Sequence, residues 1–108
     1  PLSDRQIGRV IKRGSVGLAR LGSFIGHGSG EVFLGFSTAW SVSGDVGAGA
    51  PNAPGDILNV PMVREEKLDV LFRAAAESAE EAVLNSMAAA APSMGLGGYS
   101  CTSLSAFI

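Results

Sequence analysis

Between Glu31 and Trp40 the chain reads Glu-Val-Phe-Leu-Gly-Phe-Ser-Thr-Ala-Trp. β-Branched and aromatic residues dominate, and the length suits a strand rather than a helix. Alternate side chains of a strand point to opposite faces, so Phe33, Gly35 and Ala39 share one side and Val32, Leu34, Phe36 and Trp40 the other. Both sides are apolar. Such a strand is covered on both faces in a folded protein, between helices or against a second sheet. Two helices alone cannot satisfy it.

Two helices are nevertheless what the rest of the sequence offers. Ser3 followed by Gln6 fits a capping box and starts a helix predicted over Asp4–Leu21. Ile7, Ile11, Gly14, Leu18 and Leu21 form its apolar stripe, and Gly22 supplies a stop. Gly8, Gly14 and Gly17 each weaken that helix by about 1 kcal/mol relative to Ala, so it depends on packing against a close neighbour. The second helix is predicted over Glu65–Ala91, with Glu65 and Glu66 at its dipole-favoured start and Pro92 at its end. Leu68, Leu71, Phe72, Ala75, Ala79, Ala82, Val83 and Met87 make its stripe; Glu77, Glu80 and Glu81 lie opposite. Ser41–Asn59, rich in Gly, Ala, Pro and Asn, reads as a long surface loop suited to an interface. The tail, 92–108, holds small polar residues and glycines and has room for one short strand.

The chain has 108 residues, enough for one domain. Charged residues make up only 17% against 46% hydrophobic, which implies a surface covered by another chain, another copy or further polypeptide. The net charge of −2 gives no electrostatic case for nucleic acid or an anionic membrane. Arg5, Arg9, Lys12, Arg13 and Arg20 form one basic face without interleaved aromatics, read as solvated or subunit-facing. No apolar run reaches membrane-spanning length. One cysteine, Cys101, leaves the redox compartment open. Pro1 reads as a cut or truncated end, making 1–108 a single partial domain.

Chemistry gathers at His27-Gly28-Ser29-Gly30-Glu31, the glycine-rich entry to the apolar strand. Ser29 and Glu31, two apart, fall on one face and place a hydroxyl beside a carboxylate where glycine admits a ligand backbone. Such a pair can orient and polarise a nucleophile from a neighbouring strand. Spacing alone favours the plainer reading, in which Ser29 caps the turn and Glu31 is an edge carboxylate meeting water, since such pairs are common. His27 has no partner Asp, and Gly-x-Ser-x-Gly fails because His27 stands where Gly is required. A phosphate loop would follow a strand and carry Lys; this run precedes one and has none. One His and one Cys leave no metal-ligand spacing, so no metal or other cofactor is expected.

Three stretches narrow the reading. Gly17-Leu18-Ala19-Arg20-Leu21-Gly22-Ser23, then Gly26-His27-Gly28-Ser29-Gly30-Glu31-Val32-Phe33-Leu34-Gly35-Phe36-Ser37-Thr38-Ala39, closely resemble the β-peptidyl aminopeptidase family, which includes the L-aminopeptidase/D-Ala-esterase/amidase (DmpA-type) enzymes. Leu71-Phe72-Arg73-Ala74 and Glu80-Glu81-Ala82-Val83-Leu84-Asn85-Ser86 agree in order and spacing. The resemblance implies an α+β protein of the αββα-sandwich type, made as a precursor that cuts itself once. The cut frees an N-terminal Ser on the smaller subunit, the nucleophile, whose own amine helps accept its proton. It implies that Ser29 and Glu31 are catalytic-site groups hydrogen-bonded to that nucleophile and its amine. It further implies a larger N-terminal subunit as partner, short peptides, aminoacyl amides or β-peptides as substrates, and a homo-oligomer.

Departures bear on this. The family's nucleophile opens a strand of about ten residues just upstream of where Pro1 stands, so this polypeptide alone is expected to be inactive. Trp40 stands where relatives commonly have Asn, and Gly95-Leu96-Gly97-Gly98 where they often carry Gly-Arg-Asp-Gly. Those two changes support the alternative, a non-catalytic structural or interaction module that keeps the fold.

Overall fold

The computed structural model describes residues 1–39 and 59–108. Trp40 and the expected loop over 41–59, apart from Asn59, lie outside the described residues.

The first helix starts as expected. Ser3 Oγ accepts from the Gln6 backbone N–H at 3.2 Å while the Ser3 N–H donates to Gln6 Oε1 at 3.1 Å, closing a capping box. The helix does not run unbroken to Leu21. It divides into α1, Asp4–Ile11, and α2, Gly14–Arg20. At the break the Arg13 N–H donates to the Val10 carbonyl at 3.0 Å, a tighter turn than the α-helix makes. The interruption sits beside a glycine, the usual place for one. α2 ends at Gly22, whose φ is +93°. The Gly22 N–H donates to the Ala19 carbonyl at 3.0 Å and the Ser23 N–H to the Leu18 carbonyl at 3.2 Å, a Schellman motif that uses carbonyls the helix leaves free.

After a 3-10 turn at Glu65–Lys67, α3 spans Leu68–Ala89. It stops two residues before the predicted end. Ala90 is already extended, and Ala91 precedes Pro92, whose ring disfavours helical geometry there. The buried and half-buried positions of α3 are Leu68, Leu71, Phe72, Ala75, Ala76, Ala79, Glu80 and Val83. Ala82 and Met87, placed on the stripe from sequence, are exposed, and Glu80, placed opposite, is half-buried and pairs with Arg20 at 3.0 Å.

α2 packs closely on α3 because glycine permits it. A Cβ on Gly17 would lie 2.9 Å from the Glu80 backbone nitrogen and 3.0 Å from Ala79 Cβ. Arg13 stacks on the Phe72 ring, 4.2 Å from its centroid, and Arg9 lies 5.1 Å away. Part of the basic face of α1 and α2 is paired within the chain while still meeting water: Arg5 and Arg9 pair with Glu65, and Arg20 with Glu80.

The described strands are not where the longest apolar segment lies. β1, Ser93–Met94, pairs antiparallel with β2, Ser100–Cys101, in the register Ser93 to Cys101 and Met94 to Ser100. Gly97 and Gly98, at φ +75° and +82°, turn the chain between them. Residues 31–39, predicted as a strand, carry no strand pairing among the described residues. A strand is defined by hydrogen bonds to a neighbour, and these residues have no such neighbour here. Helices and a small antiparallel sheet make the chain α+β.

Candidate functional site

The glycine-rich entry folds into a tight turn. The Ser29 N–H donates to the Gly26 carbonyl at 3.0 Å, and Gly28, third of the four residues, has φ +86°. That is the pattern of a type II turn, which calls for glycine at this position. Just before it stands Ile25 at φ +54°, the one non-glycine residue with positive φ among those described. A β-branched side chain there is strained by about 1–3 kcal/mol. No sequence signal announces it. His27 and Ser29 are exposed.

Past the turn, exposure alternates with a period of two. Glu31, Phe33, Gly35 and Ser37 are half-buried; Val32, Leu34, Phe36 and Thr38 are exposed. The inward set lies on the first two helices. A Cβ on Gly35 would come within 2.5 Å of Ile7 Cγ2 and 2.6 Å of Ile11 Cγ2, and one on Gly14 would meet the Phe33 ring. The division into two faces expected from the sequence is therefore present, although the ladder is not. On the outer face Val32 is 97% exposed, Leu34 89% and Phe36 80%. Val32, Leu34 and Phe36 thus form a contiguous apolar row facing water, larger than singly scattered surface hydrophobics make.

Glu31 accordingly shares the helix-facing side with Phe33 and Gly35, at the end of the segment nearest the turn. Ser29 stands two residues before it, at the close of the turn. No hydrogen bond joins Ser29 to Glu31 among the described residues. The described residues contain no cluster of three His, Cys, Asp or Glu side chains placed to hold a metal, and no helix long and apolar enough to cross a membrane. A cleft of about 640 Å³ lies between the start of α1 and residues 62–65, lined by residues from those two segments and none from the turn. What sequence reasoning missed is Gln6: read as a cap, it is 1% exposed and bonded to both Val63 and Glu65.

The turn, Ser29-Gly30-Glu31 and the segment behind them lie in the stretch that carries the peptidase resemblance. Residues 1–101 match the model of Peptidase family S58, and the chain belongs to that family. It is similar to the β-peptidyl aminopeptidase BapA of Sphingosinicella microcystinivorans, at 33% identity over 99 residues, 92% of this chain and 23% of that protein. It is also similar to the β-peptidyl aminopeptidase BapA of Sphingosinicella xenopeptidilytica, at 35% identity over 89 residues, 82% of this chain and 21% of the relative. The chain thus spans between a fifth and a quarter of the length of the curated relatives it matches. No solved structure matches it.

Proposed function

We propose that this chain is most of the small subunit of a self-processing aminopeptidase that releases N-terminal residues from short peptides, amides or β-peptides. The observation that carries the proposal is the family match over residues 1–101, which takes in Ser29-Gly30-Glu31 and the segment behind them. In this reading the precursor cuts itself once, and the serine freed upstream of Pro1 is the nucleophile. Its hydroxyl oxygen attacks the substrate carbonyl carbon while its own amine takes the hydroxyl proton. The leaving amine departs with that proton, and water then releases the acyl group from the serine oxygen. The Glu31 carboxylate stabilises the transient ammonium, and the Ser29 hydroxyl holds the nucleophile in place. This scheme needs no metal or cofactor.

The larger N-terminal subunit supplies the oxyanion hole and most of the substrate pocket, and it completes an αββα sandwich in a homo-oligomer. The exposed row Val32, Leu34 and Phe36 supports such a cover. The test is hydrolysis of aminoacyl amides and β-peptides by the protein from its complete reading frame. Wild type is expected to hydrolyse one of these classes, and Glu31→Gln to lower kcat by about 100-fold or more. If the complete protein hydrolyses no aminoacyl amide or ester, the reading fails and a non-catalytic interaction module takes its place.

A further inference from the structure

Glu65 accepts from three donors on α1: the guanidinium groups of Arg5 and Arg9, and Gln6 Nε2 at 3.1 Å. Gln6 Nε2 also donates to the Val63 carbonyl at 2.7 Å, while Gln6 Oε1 closes the capping box with Ser3. One step further, the Val63 N–H donates to the Pro1 carbonyl at 3.0 Å. Residues 1, 3 and 6 are thereby closed onto 63 and 65, and no described buried side-chain polar atom lacks a partner. Starting a helix needs only the Ser3 and Gln6 part of this. The rest ties the backbone at Pro1 to the approach of α3.

The clasp also has a defined place relative to Ser29 and Glu31. Gly35 lies on Ile7 and Ile11, and Phe33 lies on Gly14. Residues 31–39 therefore run back along the helices, with Glu31 toward α2 and Ser37 toward the start of α1. The clasp sits at that second end.

We propose that the Gln6–Glu65 clasp is a positioning device for the catalytic centre. It fixes the point and register at which upstream polypeptide joins this chain, and so where the nucleophile falls against Ser29 and Glu31. The proposal rests on the reading above, in which the nucleophile lies upstream of Pro1. Extended backbone advances about 3.3 Å per residue, so a slip of one residue carries the nucleophile that far and turns it to the opposite face. Misplacement by about 1 Å can cost on the order of 100-fold in rate. Gln6 and Glu65 are positioning residues; neither touches substrate.

The experiment uses the complete protein with Gln6→Leu, Glu65→Gln and, as a control, Arg20→Ala, which breaks the Arg20–Glu80 pair. Self-cleavage of the precursor, kcat and KM on an aminoacyl amide, and Tm are measured for each. Gln6→Leu is expected to slow self-cleavage and lower kcat by about tenfold or more with KM within about twofold; Arg20→Ala leaves all three unchanged. If Gln6→Leu does not fold, a lowered kcat at unchanged KM in Glu65→Gln supports the clasp. Wild-type kcat and self-cleavage in the folded clasp variants overturn it, while the proposed function stands. Equal losses in Arg20→Ala at matched Tm overturn it too, because the clasp then supplies stability alone. A wild-type protein inactive on every aminoacyl amide and ester overturns the function and the clasp together.

Discussion

The contact of α2 with α3 and the segment 31–39 are both apolar, and they stand at opposite extremes of completeness. At the first, Gly17 is buried, backbones approach to the limit glycine allows, and Ala76 is closed from solvent. At the second, one face rests on Ile7, Ile11 and Gly14 while Val32, Leu34 and Phe36 meet water. A helix satisfies its backbone internally and needs a neighbour only for one stripe. An extended segment needs neighbours for its backbone and, when both faces are apolar, for each face. The helical half of this unit therefore closes on itself, while the outer face of the extended half stays open among the described residues.

The largest effect that tests this contrast is expected at Gly17. Gly17→Leu forces a side chain against the α3 backbone, and we expect a loss of about 3 kcal/mol or more in denaturant unfolding of the complete protein. A loss under about 1 kcal/mol would mean that α2 and α3 can separate cheaply. Leu34→Asp comes next. If the outer face is covered in the complete protein, the buried carboxylate costs about 2 kcal/mol or more by the same measurement. A change within about 0.5 kcal/mol would mean that the face is solvated, and the contrast disappears. Smallest is Gly8→Ala, since nothing lies within 4 Å of a Cβ there. It should stabilise the protein by about 0.5–1 kcal/mol, separating a glycine that merely weakens a helix from the two that packing requires.

Much of the site was legible from local chemistry. Ser3 with Gln6, Gly22 after Leu21 and Pro92 after the alanines each mark a helix boundary through groups a few residues apart. Gly26 to Ser29 announced its turn for the same reason. The alternation of Val32, Leu34 and Phe36 against Phe33 and Gly35 was equally readable, because side-chain direction in extended chain has a period of two. The family pattern singled out Ser29 and Glu31, where spacing by itself favoured a turn cap and a solvated carboxylate.

Other features were settled only in three dimensions. The break at Lys12–Arg13 lets α1 carry Gly35 while α2 lays Gly17 on α3, two demands from partners distant in sequence. Periodicity places Glu80 on the solvent face of α3; its half-burial follows from the pair it makes with Arg20 of α2. Gln6 read as a cap, and its second role needed Val63 and Glu65 brought beside it. By itself the sequence determined the start of α1 at Ser3, the stop at Gly22, the turn at Gly26 to Ser29 and the two-faced character of residues 31–39, because these rest on bonds and dihedral limits within a few residues. The tertiary structure decided where the first helix breaks, which charges pair and which face of that segment is filled, because those depend on groups that only folding brings within reach.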